Sequence, residues 1–329
     1  MRAPKLLLAA ITAFLAGLGE CAHAGIIRHD RDPLLYRSLA ASPEYASVGS
    51  IYLFEEGGYY MASGTLIAPD WVLTAGHVVD GADALTFRIG GGSYAATNWL
   101  PHPKWNGSLA GGYDIGLMQL DRPVPDTIAP AARYGGDDEL GAAATLVGFG
   151  MTGTGQTGAV VLDGLKRAGQ NTIDALYGRN PMVPARILLC DFDNPDDPAD
   201  NSYGSEAPLD LEYLVSFGDS GGGVFMDSPS GAVLAGVHSF VSAPDGYADC
   251  DYGDISGHTR VSIFNDWIDY VLGGAVGKPG LGKGRWTQHP KGPFFDGVPP
   301  EVASAVPEPA SAVLLGLGAC LAMLRRSRG

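Results

Sequence analysis

The chain has 329 residues, 48 of them glycine; 46% are apolar and only 17% charged. Glycine is costly inside helices, so this balance argues against a helical bundle and for a turn-rich β protein. The formal net charge of −15, with no basic patch, makes nucleic acid and anionic membrane surfaces poor partners.

Residues 1–24 read as a secretory signal peptide. Arg2 and Lys5 precede the apolar run LLLAAITAFLAGLG, and Ala22-His23-Ala24 supplies an A-x-A site with cleavage after Ala24. Cys21 would suit a lipoprotein signal, but Glu20 directly before it argues against one. Residues 25–44 form an N-terminal segment. Strand-like apolar runs bounded by Gly, Pro, Asn or Asp follow, among them SVGSIYLF, YYMASGTLIA, WVLTA, ALTFRI, IGLMQL, ATLVGFG, GGGVFM and AVLAGVHSFV.

Within SGTLIAPDWVLTAGHVVD (63–80), two strands joined at Pro69-Asp70 end on His77. In HPKWNGSLAGGYDIGLMQLDRPV (102–124), Asp114 opens an apolar strand, where at a barrel edge its side chain can meet a histidine from another strand. The run CDFDNPDDPADN (190–201) holds five aspartates. Calcium wants clustered carboxylates and carbonyls, but the EF-hand spacing is not met. A solvated acidic loop is the leading reading there and a structural calcium the alternative; no other cofactor is expected.

SFGDSGGGVF (216–225) sets Ser220 among glycines, beside Asp219. Besides a tight hairpin, the run fits three owners: a G-x-S-x-G nucleophile elbow, the F-G-D-S block of a lipase/esterase family, and the G-D-S-G-G block of trypsin-like peptidases. A serine hydroxyl is a weak nucleophile and needs a base with an orienting acid behind it, which His77 and Asp114 can supply. His29, His102, His238, His258 and His289 show no metal-ligand spacing. In SIFNDWIDYVL (262–272), Ile263, Phe264, Trp267, Ile268 and Val271 recur at helical spacing, and Gly273-Gly274 ends the helix. Many short strands and one terminal helix argue for antiparallel barrels or a sandwich, and against an α/β-hydrolase.

Residues 274–305 are a Gly/Pro-rich linker. In 306–329, Pro307-Glu308-Pro309 precedes an apolar stretch, Ala310 to Leu324, short of the roughly 20 residues a membrane span needs. Arg325, Arg326 and Arg328 follow. This tail resembles the PEP-CTERM sorting signal of Gram-negative bacteria, which implies an exosortase-type partner, transient membrane anchoring through a short hydrophobic helix, and removal of the tail. Of the four cysteines, Cys21 and Cys320 lie in the two signals. Cys190 and Cys250 remain, read as one disulfide of an exported protein, with two free thiols as the alternative.

T-A-G-H ending at His77, D-I-G-L beginning at Asp114 and G-D-S-G-G around Ser220 stand in the order of chymotrypsin/trypsin-like serine peptidases, which the chain resembles over roughly 45–273. VGFGMTG (147–153), GVHSFV (236–241) and GHTRVSIFNDWI (257–268) resemble the family's second-barrel start, substrate-binding strand and closing strand with helix. The resemblance implies an all-β fold: two antiparallel six-stranded β-barrels, over 45–135 and 136–273, with a C-terminal helix. It implies Ser220 as nucleophile, His77 as base, Asp114 as orienting acid, and the N–H groups of Gly218 and Ser220 as the oxyanion hole.

For substrate binding it implies Leu214 at the pocket base, where a basic-specific enzyme carries Asp, with Val241 and Ser256 as walls. Ser239 and Phe240 lie on the binding strand, Ser239 also matching a support for the catalytic acid. That set favours apolar side chains, with Asp249, Asp251 or Asp254 of the neighbouring loop offering a basic preference as the alternative. Asp219 in this family pairs with an α-amino group made by cleavage, and cleavage before GIIRHD would make one. The chain departs from the family at Val78, where a Cys usually follows the histidine, and at Gly223, where Pro is usual. In an α/β-hydrolase the acid and histidine follow the serine; Asp227 and His258 fit only formally, because GGGVF continues as a strand. The expectation is an exported serine endopeptidase of the periplasm, cell surface or exterior, acting on proteins or peptides. A non-catalytic surface-binding protein of the same fold is the rival, and an esterase the lesser one.

Overall fold

Asp32 and Pro33 start the first helix, which the strand pattern did not predict. The computed structural model describes residues 25–178, 184–203, 207–247 and 249–275. Strand β1 (Gly25–Ile27) precedes α1 (Pro33–Ala40), whose Asp32 carboxylate accepts the Leu34 N–H at 2.9 Å. Proline at the first helical position and an aspartate cap are a standard start signal.

The first half then forms β2 (Val48–Glu55), β3 (Gly58–Ala68), β4 (Trp71–Thr74), the single turn α2 (Gly76–Val79), β5 (Ala84–Ile89), β6 (Gly92–Pro101) and β7 (Gly116–Leu120). These six strands close into an antiparallel barrel in the order β2-β3-β4-β7-β6-β5. Two hairpins set its register. Glu56-Gly57 and Gly90-Gly91 each place both turn residues at positive φ, the twist-matched two-residue turn that favours glycine. Ile51, Leu66, Val72, Phe87 and Leu117 fill the interior.

The second half comprises β8 (Ala132–Arg133), β9 (Ala143–Gly148), β10 (Thr152–Thr154), β11 (Gly158–Val161), β12 (Arg167–Thr172), β13 (Ala175–Tyr177), β14 (Ile187–Asp191), β15 (Tyr213–Leu214), β16 (Gly223–Ser228), β17 (Gly231–Ser242) and β18 (Ile255–Arg260). An eight-stranded sheet runs β12-β9-β16-β17-β18-β14-β13, with β8 added beside β17. Its curl brings β12 back to β14: the Asn171 amide donates to Asp191 O at 2.6 Å and Tyr213 O at 3.1 Å. A smaller sheet, β11-β10-β1-β15, seats the N-terminal strand against the second half. Val147, Phe225, Leu234 and Val237 of the second sheet share one apolar core with the first barrel.

The expected terminal helix is present as a 3-10 turn (Val261–Phe264), α3 (Asn265–Tyr270) and a π-turn (Val271–Ala275). Arg260, just before it, is buried with its guanidinium on Glu139: Nε to Oε1 at 2.7 Å and Nη2 to Oε2 at 2.6 Å.

The expected disulfide is not formed. Cys190 belongs to the cluster of Leu146, Leu188 and Tyr213, whereas Cys250 packs with Ile26, Phe192 and Leu214, so the two sulfurs face different cores. Burial pushes the Cys190 thiol well above its ordinary value, which keeps it protonated and inert. The expected signal peptide, the expected linker beyond Ala275 and the expected sorting tail lie outside the described residues. Among the described residues no helix is long and apolar enough to cross a membrane.

Candidate active site

His77 sits on α2 directly after β4, and Asp114 just before β7, the neighbour of β4 in the barrel. Their approach is tight: a side chain at Gly76 would meet Ile115 N at 3.1 Å and Asp114 Oδ1 at 3.2 Å. The His77 backbone N–H donates to Asp114 Oδ1 at 2.8 Å, and His77 Nδ1 lies 2.8 Å from Asp114 Oδ2. Ser239 Oγ donates to the same Oδ2 at 2.5 Å. Asp114 is fully buried, and Thr259 Oγ1 holds its main-chain oxygen at 2.7 Å. A register shift in β17 between His238 and Phe240 turns Ser239 toward the carboxylate, a use typical of a β-bulge beside a site. A carboxylate oxygen set against Nδ1 accepts the imidazole proton there, which leaves Nε2 as the ring's acceptor.

Ser220 rides on a turn that two left-handed glycines make, Gly218 at φ 95° and Gly221 at φ 84°. The turn packs on β4: a Cβ at Gly221 would come within 1.9 Å of Thr74 Oγ1. Ser63 of β3 ties it from the other side, its N–H donating to Ser220 O at 2.8 Å and its hydroxyl to Gly218 O at 3.0 Å. Asp219 turns inward, accepting the N–H groups of Gly150 at 2.8 Å and Ser216 at 2.9 Å. Ser220 and His77 are both nearly buried, 7% and 8% exposed, so the hydroxyl and imidazole meet little competing water.

Beside Ser220 lies a small cleft of about 180 Å³ including its open mouth, lined by Val215, Ser216, His238, Ser239, Phe240 and Val241. Three of the five expected binding residues, Ser239, Phe240 and Val241, line it. Leu214 and Ser256 do not. Leu214 pairs with Ile26 in the small sheet and is fully buried. Ser256 is also fully buried, its hydroxyl donating to Cys190 O at 3.2 Å. Of the three loop aspartates, Asp251 and Asp254 line a separate cleft.

In the sequence His238 shows no metal-ligand spacing, and the structure puts it in this wall. Its Nδ1 lies 3.0 Å from Nδ1 of His258, so one ring donates to the other. Burial pushes His238 down to about 3 and His258 well below its usual value, so both are neutral at ordinary pH. The alternation of β17 was the one available signal, since His238 precedes the bulge that exposes the strand to the cleft.

At the far side of Asp219, Gly25 is packed against Tyr213, whose hydroxyl would lie 1.8 Å from any Cβ there. The Gly25 N–H donates to Met151 O at 2.6 Å, and Thr152 Oγ1 donates to Gly25 O at 2.8 Å. Burial, and after it the Asp219 carboxylate, push the Tyr213 hydroxyl well above its ordinary value.

Fold and site together define a β-barrel protein with a buried Asp–His pair beside a serine on a glycine-made turn. The family model described as Trypsin matches residues 41–268, and the chain belongs to the trypsin family. Brachyurin of Leptuca pugilator is 27% identical over 233 residues, covering 65% of this chain and 88% of that protein. Chymotrypsin-like elastase family member 3A of Homo sapiens is 28% identical over 248 residues, covering 67% and 82%. A solved structure described as HL collagenase superposes with a TM-score of 0.51 at 21% identity, covering 69% of this chain and 94% of that one. At that identity the likeness is one of fold.

Proposed function

We propose that the protein is an exported serine endopeptidase that cuts peptide bonds through an acyl-enzyme. The observation that carries the reading is the buried Asp114 carboxylate, which accepts from His77 N–H, His77 Nδ1 and Ser239 Oγ at once. A binding module has no use for a carboxylate stripped of water to orient one imidazole. In the proposed reaction His77 Nε2 takes the Ser220 proton as Oγ attacks the scissile carbonyl carbon. The N–H groups of Gly218 and Ser220 receive the oxyanion, and each such donor is typically worth about 2.7–4 kcal/mol. Collapse passes the proton from His77 to the leaving amine. Water then repeats the cycle on the ester and returns a carboxylic acid and the free hydroxyl.

Activation needs Asp219 held inward. Cleavage after Ala24 would leave Gly25 as an α-amino group in the seat beside Tyr213, near Asp219. The cleft's apolar walls, Val215, Phe240 and Val241, favour small apolar side chains before the cut bond. The sorting enzyme and the transient anchoring rest on the sequence of residues 306–329 alone.

A fluorophosphonate probe tests the reading on purified mature protein. Labelling that disappears in Ser220→Ala supports it; no labelling, or labelling that survives the substitution, leaves the non-catalytic binding protein standing. A peptide library then reads the preference. Selection of small apolar residues agrees with the apolar walls, whereas selection of charged ones would count against them.

A further inference from the structure

The loop between β17 and β18 carries three carboxylates that the proposed reaction does not use. Oxygen atoms of Asp249, Asp251 and Asp254 all lie within 4.8 Å of one another. Asp254 is 1% exposed, and its Oδ2 is buried with no hydrogen-bond partner among the described residues. Leaving a buried polar oxygen unsatisfied is costly, and the cost rises when the group carries charge. Asp254 and Asp251 line an open cleft of about 980 Å³ including its mouth, where Asp245 and Asp200 add further acid and no Lys, Arg or His lines the wall among the described residues.

The geometry points to a divalent-cation site, for calcium, held by Asp249, Asp251 and Asp254. The donors are all hard oxygens, which suits calcium or magnesium and not zinc or copper. Calcium–oxygen distances of about 2.3–2.6 Å put opposite ligands about 4.6–5.2 Å apart, and magnesium at about 2.0–2.1 Å only about 4.0–4.2 Å. Magnesium also sheds its waters reluctantly and is seldom held by an all-protein cage, so three carboxylates within 4.8 Å of one another suit calcium. The site also moves the sequence expectation: calcium was considered for the run 190–201, but there Asp191 is engaged by the N–H groups of Ser202 and Tyr203 at 2.6 Å each. From that run Asn194, Ala199, Asp200 and Asn201 border the cleft.

A bound cation would order more than its own loop. Asp249 O accepts the Ala159 N–H of β11 at 2.8 Å, and Tyr252 N–H donates to Gly155 O at 3.3 Å. Tyr252 stacks on Phe192 at 4.7 Å and its hydroxyl lies 2.8 Å from His29 Nδ1. The same loop continues from the strand that supplies Ser239, Phe240 and Val241 to the cleft. The ion is therefore placed to brace β10, β11, the N-terminal segment and the cleft wall together.

Thermal unfolding in 5 mM calcium against chelator, with terbium luminescence as the binding readout, tests the site whether or not the protein is a peptidase. The wild-type melting temperature should rise by several degrees in calcium, with terbium displaced by calcium in the 10⁻⁴–10⁻³ M range of extracellular sites. Asp254→Asn removes repulsion, so in chelator it should melt no lower than wild type, and in calcium it should gain nothing. Asp251→Asn, less buried, repeats the reading should Asp254→Asn fail to fold. Exposed Asp126→Asn, outside the loop, should keep the full shift. No calcium shift in wild type, or an equal shift in both loop variants, overturns the site.

Discussion

Replacing Asp114 by Asn changes one atom and no volume, yet the three donors around it leave the amide no good orientation. With its oxygen toward His77 Nδ1 and Ser239 Oγ, the amide NH₂ faces the His77 backbone N–H, two donors where 2.8 Å now separates donor from acceptor. Turned over, the NH₂ faces Nδ1 and Ser239, and the imidazole must move its proton to Nε2 to accept. That tautomer cannot take the Ser220 proton. A wrongly tautomerised triad histidine costs about 10⁴ in kcat in this family, which is about 5.4 kcal/mol of transition-state stabilisation at 1.36 kcal/mol per decade. The folded state keeps its packing but leaves a buried donor unsatisfied, so urea unfolding should show a loss of only about 1–3 kcal/mol beside the far larger loss of rate. Steady-state cleavage of a chromogenic peptide ester, with the fluorophosphonate labelling rate measured in parallel, gives both numbers. A variant retaining more than a tenth of wild-type kcat would refute the reasoning, because it would mean that the Asp114–His77 contact does not set the proton's place.

Gly218→Ala forces a side chain into φ 95° and sets its Cβ 3.1 Å from Gly150 Cα. The loss of one oxyanion donor should lower kcat about 10²–10³-fold with KM little changed, read by initial rates. Glu139→Ala strands the buried Arg260 guanidinium and should cost about 3–5 kcal/mol by urea unfolding. Glu212, pushed up by burial to about 9 from 4.5, holds a proton in the folded state that the unfolded chain releases. Its stabilising contribution is complete below about 4.5 and is lost as pH rises through about 9, so Glu212→Gln should flatten the fall in stability across that window. Mature protein carrying two extra residues before Gly25 should be folded but poorly active; full activity would separate Asp219 from the N-terminal strand.

The three motifs were legible because each encodes a backbone demand: a strand ending on His77, an acid at a strand opening, and a turn needing glycine on both sides of Ser220. The barrel strands were legible from their apolar runs. What escaped the sequence is what depends on partners far along the chain. Leu214 reads as a pocket base by position, yet Ile26 claims it in a ladder between strands nearly two hundred residues apart. His238 reads as bland because only the bulge in β17, a register event, opens its strand to the cleft. Cys190 and Cys250 read as a pair because counting cannot show which core each faces. The acidic loops were visible as composition, but which oxygens converge was decided by the turn at Gly253, whose φ of 86° brings Asp254 back under Asp251.

The seat of β1 also sets an order of events in time. Its ladder partners, β10 and β15, are made well over a hundred residues later, so a chain emerging from its amino end carries β1 with nowhere to dock. Closing so long a loop is slow, and the partners must first assemble among themselves. Throughout that interval Gly25–Ile27 lack their ladder partners, and afterwards Ile26 is fully buried. The fold thus carries its own clock: the late arrival of its second half decides when residues 25–27 are locked.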